Sequence, residues 1–122
     1  MPYPQFDRSR LIVRPLGERM HDMTLADVLP LDCAVPACEN ADLDALAAAI
    51  VAARANDRPV IWMMGAHVIK QGLSRFVVDL LRRGLLTQVS VNGACTIHDY
   101  ELALIGATTE SVAHYIRHGE FG

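Results

Sequence analysis

The segment from Arg58 to Ile105 leaves this chain few ways to fold, because it repeats one order twice: an apolar run of strand length, a turn of small residues, then a helix. Arg58-Pro59 breaks what precedes. Val60-Ile61-Trp62-Met63-Met64 is then continuously apolar, the pattern of a strand covered on both faces in a parallel sheet. Gly65-Ala66 turns the chain, and from Val68 to Arg83 the residues Leu73, Phe76, Val77, Leu80 and Leu81 make one helical stripe that stops at Gly84. The second unit has a strand within Leu85 to Val91, a turn at Asn92-Gly93-Ala94-Cys95, and a helix from Ile97 to Ile105 closed by Gly106. The fold class expected is α/β: a parallel sheet flanked by helices, with Val60–Met64 beside Val89–Val91, since such a crossover returns next to its start.

In that arrangement both glycine-bearing turns lie at the carboxyl ends of neighbouring strands, where open α/β sheets bind ligands. Small residues there let a backbone approach a pyrophosphate or ribose, and helix N-terminal N–H groups favour an anion. The candidate cofactor-binding residues are therefore Gly65, Ala66, His67 and Lys70 from the first turn, with Asn92, Gly93 and Ala94 from the second. Each has a plainer reading. The glycines satisfy tight turns, His67 can cap a helix or pack, the Asn92 side chain can bond its own backbone two residues on, and Lys70 can extend to solvent. Neither turn carries the three-glycine dinucleotide fingerprint or the phosphate loop ending in Lys-Ser or Lys-Thr. His98, Asp99 and Glu101 follow the second turn, and His98 and Glu101, at i and i+3, share a helix face.

MGAHVIKQGL (Met64 to Leu73) and NGACTIHDYELALIGATTE (Asn92 to Glu110) resemble the bacterial and archaeal deoxyhypusine-synthase-like family, whose turns read GAHVIK-x-GL and NGA followed by IHDFE. The resemblance covers about half the chain. It implies a Rossmann-like domain that binds NAD, homo-oligomers with sites near subunit interfaces, and aminobutyl transfer from a polyamine, spermidine in the synthases proper, through an enzyme lysine imine. It also implies that His98 and Asp99 lie near the nucleotide and amine site, a histidine standing where the family has an acid. Family members are much longer, and their imine-forming lysine lies near the C-terminus. Lys70, the only lysine here, sits in a different motif, so the chain is expected to be a fragment, one piece of a two-chain enzyme whose remainder is on a companion chain, or a degenerate relative without the full reaction. The alternative is a non-catalytic nucleotide-binding or oligomerisation module derived from the family.

Outside the central units the signals are weaker. Residues 1–40 read as an arm and loop region, and residues 41–122 as the first half of the nucleotide domain. Leu11-Ile12-Val13 can form a short edge strand, ended by Pro15. Thr24, with Asp27 three residues on, opens one or two helical turns before Pro30. Ala41 to Asn56 is a helix whose stripe of Leu43, Leu46, Ala47, Ile50 and Val51 is expected to pack beside the Val60 strand. Thr108 or Thr109 is expected to cap a last helix, Glu110 to about His118, with Val112, Tyr115 and Ile116 facing inward.

A 52% hydrophobic content in 122 residues points to apolar surface covered by missing segments or by a partner chain. Net charge −3, with ten scattered arginines, argues against nucleic acid. No run of eighteen apolar residues indicates a membrane span and the N-terminus has no signal pattern, so the expected location is cytoplasmic. Three cysteines suit a reducing compartment. Cys33, Cys38, Cys95 and His98 make a poor zinc set, so no metal is expected; Cys95 with His98 also permits an imidazole-activated thiol.

Overall fold

The computed structural model describes residues 3–120. Strands β2 (Ile61–Met64) and β3 (Gln88–Val91) pair in parallel, with Ile61 opposite Gln88 and Met64 opposite Val91. Thr87 fastens their start: its hydroxyl accepts the Val60 N–H and donates to the Val60 carbonyl, both at 2.9 Å. The chain is thus mixed α/β with one parallel pair, each of its sheets being two-stranded.

The second sheet lies where the sequence reading has loop and helix caps. β1 (His21–Thr24) pairs antiparallel with β4 (Ala107–Glu110), Met23 facing Thr108. Thr108 and Thr109 are therefore strand residues rather than caps, in line with the preference of β-branched side chains for a pleated surface. The last helix shrinks to α5 (Val112–Tyr115) and one 3-10 turn, Ile116–His118, and Val112 and Ile116 stay exposed. Leu11-Ile12-Val13 forms no strand and lies in solvent.

The long helix expected from Val68 to Arg83 is broken into α2 (His67–Lys70) and α3 (Ser74–Arg82). Gly72 adopts φ +76° between them, and its carbonyl accepts the Leu29 N–H at 3.0 Å. The break thereby docks the short 3-10 turn Leu25–Asp27, which opens with the expected capping box between Thr24 and Asp27. The core lies where β1, α2 and α4 (Gly93–Ile105) meet: Met23, Val28, Ile69, Cys95 and Leu102 are buried, with Met64 packed on them. Gly106, at φ +69°, closes α4, and its carbonyl accepts the Leu25 N–H.

Helix α1 (Ala41–Ala55) forms as its cap and stripe require, Asn40 Oδ1 accepting the Asp42 N–H, but it buries none of its residues. Leu43, Leu46 and Val51 are all more than half exposed, against the expected packing beside β2. Total accessible surface is 9558 Å². A compact chain of 13.4 kDa presents about 6,500 Å². No helix among the described residues is long and apolar enough to cross a membrane.

Candidate functional site

Two clefts flank α4, one at its N-terminal end and one along its side. At the N-terminal end, Gly65 and Asn92 directly follow the register partners Met64 and Val91, so the two turns lie side by side. A Cβ built on Gly65 would stand 3.5 Å from Asn92 Nδ2. The cleft here has a volume of ≈ 420 Å³ and is lined by Met63, Met64, Gly65, Ser90, Val91 and Asn92. Asn92 caps α4, its Oδ1 accepting the Cys95 N–H at 3.0 Å, which turns the amide donor toward Gly65.

The other expected cofactor residues do not line this cleft. Ala66 is buried, and His67, Gly93 and Ala94 are exposed beside the turns. Lys70 and His98 belong to the second cleft, of ≈ 240 Å³, with Arg19, Ile97, Glu101 and Glu110. Asp99 is exposed on α4 and lines neither cleft.

A hydrogen-bonded chain, buried at its centre and part-buried at its ends, forms one wall of this second cleft. Arg19 is ion-paired with Glu101 Oε1. The Thr108 hydroxyl, fully buried, donates to Glu101 Oε2 at 2.6 Å and lies 2.7 Å from His98 Nδ1. Burial alone would raise the Glu101 carboxyl, but the hydrogen bonds from Thr108 and Arg19, with the Arg19 charge, bring it below the usual carboxylate value. His98 is held below the ordinary imidazole value by burial first and by the Lys70 charge second, with Glu101 opposing them. Next to this wall Thr109 sits at φ +63°, a strained conformation for a β-branched residue.

Cys95 is buried, and its thiol is pushed up by burial and by Asp99, so the activated-thiol reading is not supported by its surroundings. Among the described residues no three His, Cys, Asp or Glu side chains are grouped to hold a metal ion. The residues the sequence reading missed are Arg19, Thr108 and Glu110. One signal was available: Cys95, His98, Leu102 and Ile105 share the inward stripe of α4, so a histidine stands on an apolar face beside Glu101.

The sign of the His98 shift yields an expected pH dependence. The folded state binds its proton less readily than the unfolded chain, whose imidazole titrates near 6.5. The stability His98 contributes is therefore complete above about pH 6.5 and lost as pH falls through the lower folded value. Urea midpoints are expected to drop on acidification from pH 7.5 to 5.5, and to drop less in His98→Gln. Parallel slopes for the two proteins would contradict the assignment.

No protein-family model, curated protein or solved structure matches the chain.

Proposed function

We propose that this chain supplies the first part of a deoxyhypusine-synthase-like, NAD-dependent transferase acting on a polyamine, with the turn edge as the nucleotide site and the His98 cleft facing the amine. What supports the reading above all is the register Met64 opposite Val91, which juxtaposes Gly65 and Asn92 at the carboxyl edge of a parallel pair. Two consecutive strand–helix units meeting there are what the first half of a Rossmann-like sheet requires.

The residues at that edge fit a nucleotide. Gly65 leaves the cleft open, Ser90 and the Asn92 amide supply polar contacts, and Met63, Met64 and Val91 supply apolar surface for a flat ring. NAD, when bound, supplies the hydride acceptor that oxidation of an amine needs. In the second cleft Glu110 offers a carboxylate to a cationic amine, and His98 offers an imidazole beside it. Lys70 lines that same cleft, so an amine is favoured there only where an anionic group of the nucleotide or a carboxylate offsets its charge.

A second reading, a non-catalytic nucleotide-binding or oligomerisation module, is favoured in its oligomerising form by the extent of exposed surface, about half again that of a compact chain of this mass. Both readings place another polypeptide, a companion or a further copy, over α1 and the outer face of β2.

Asn92→Asp tests the nucleotide site without removing the helix cap, because a carboxylate still accepts the Cys95 N–H. It replaces the amide donor at the cleft by a negative charge. Calorimetry with NAD, on the chain together with any polypeptide that co-purifies with it, is expected to show binding that weakens at least about tenfold in the variant, roughly 1.4 kcal/mol, with the melting temperature unchanged. Absence of NAD binding in the unmodified material would leave the module reading in its place.

A further inference from the structure

The hydrogen bonds around His98 fix more than its position. Thr108 has a single hydroxyl proton, and Glu101 Oε2, 2.6 Å away, is a carboxylate held ionised by Arg19 and by Thr108 itself. A carboxylate accepts and cannot donate, so the hydroxyl proton points to Glu101. The Thr108 oxygen then has only lone pairs left for His98 Nδ1 at 2.7 Å, and Nδ1 must carry a hydrogen. In the neutral ring the remaining lone pair is on Nε2, which has no partner among the described residues and is not enclosed.

The charges facing the ring come from three elements besides its own: Arg19 from the segment before β1, Lys70 and His67 from α2, and Glu110 from β4 across the cleft, with Glu101 on α4 itself. The cations and burial together favour the neutral ring at and above pH 7.

We infer that Arg19, Glu101 and Thr108 are positioning residues that hold His98 in its Nδ1–H tautomer, so that Nε2 enters the cleft as an acceptor and not as a donor. A neutral acceptor cannot hold a phosphate or carboxylate, and the group it fits is an N–H or O–H of the ligand. This deepens the proposed function, and rests on it, only in naming that group as an amine; the tautomer itself is a property of the ligand-free chain.

The inference can be read by long-range 1H–15N correlation on the 15N-labelled chain at pH 8, with His98 identified by its loss in His98→Gln. The expected pattern is a pyrrole-like Nδ1 and a pyridine-like Nε2. Glu101→Gln is expected to reverse it: Arg19 only donates, so the glutamine oxygen faces Arg19, its amide donates to Thr108, and the freed hydroxyl proton goes to Nδ1, leaving the hydrogen on Nε2. Thr108→Ser should retain the pattern and Thr108→Val should lose it, which separates the hydroxyl from the packing of the methyl group. An Nε2–H ring in the unmodified chain, or an unchanged ring in a folded Glu101→Gln, overturns the inference. Spermidine is then titrated into the unmodified material. Movement of the Nε2 signal supports the amine as its ligand, whereas the expected tautomer with an unmoved Nε2 supports the positioning chain and counts against the polyamine reading.

Discussion

Gly72→Ala is expected to destabilise the fold by about 2–4 kcal/mol, among the larger effects of any single methyl group added to this chain. Two costs combine. At φ +76° an L-residue is strained by about 1–2 kcal/mol, and the new Cβ would stand 2.4 Å from the Asp27 carbonyl oxygen, a backbone atom that cannot rotate away. The segment Leu25–Leu29 must shift, which weakens the Leu29 N–H bond to the Gly72 carbonyl and uncovers Val28. Gly84→Ala is the control: its φ of +70° carries the same strain, but nothing lies within 4 Å of the added Cβ. Denaturant midpoints should fall for both and clearly further for Gly72→Ala. Equal losses would show that only strain is at stake and that the docked segment yields freely.

The next largest effect is expected from Arg19→Met. The Arg19 side chain is 22% exposed and that of Glu101 9%, so removing the cation leaves a largely buried carboxylate with Thr108 as its remaining partner. Breaking such a pair costs about 2–3 kcal/mol at pH 7 once partial exposure is allowed for. The pH dependence identifies the cause. In the unmodified chain the Glu101 carboxyl is lowered, so its contribution is present above the ordinary value near 4.5 and lost as pH falls through the folded one. Without Arg19, its hydrogen bond and its charge no longer lower the group while burial still raises it, so the variant gains less stability than the unmodified chain as pH climbs through the ordinary value. The gap between the two proteins should be small at pH 4 and wide at pH 7, as read by denaturant midpoints. A constant gap would mean that Arg19 acts through the packing of its aliphatic stem.

The parallel pair was legible because nothing competes with it: Val60 to Met64 is too short for a helix of its own and too apolar for a loop, and each small-residue turn reports where a strand ends. The capping box at Thr24 and the stop at Gly106 were legible for the same local reason. The β1–β4 pair was not, since Met23 finds Thr108 far along the chain and neither segment is apolar enough to announce a strand. The break at Gly72 was hidden by its neighbours, for Leu73, Phe76, Val77 and Leu80 keep a helical spacing that resumes as soon as the turn is made. Helix α1 shows the limit of periodicity from the other side. Its stripe correctly marks a helix, but a stripe does not say which surface will cover it. Of the two clefts, the turn edge followed from the strand order, whereas the His98 wall depends on Arg19 and Thr108, whose roles come from tertiary placement alone.

The unpacked stripe of α1 and the bare outer face of β2 also set the thermal character of the chain. Heat capacity rises on unfolding in proportion to the apolar area released to water, about 12–15 cal/mol/K per residue for an ordinary domain. Here Leu43, Leu46, Val51, Ile61 and Met63 already meet water in the folded state, so the increment is expected to be smaller and the enthalpy of unfolding to change less with temperature than in an ordinary domain. The free-energy curve is expected to be correspondingly flatter. A partner that covered those side chains would take up on association the heat-capacity change that folding alone leaves undone.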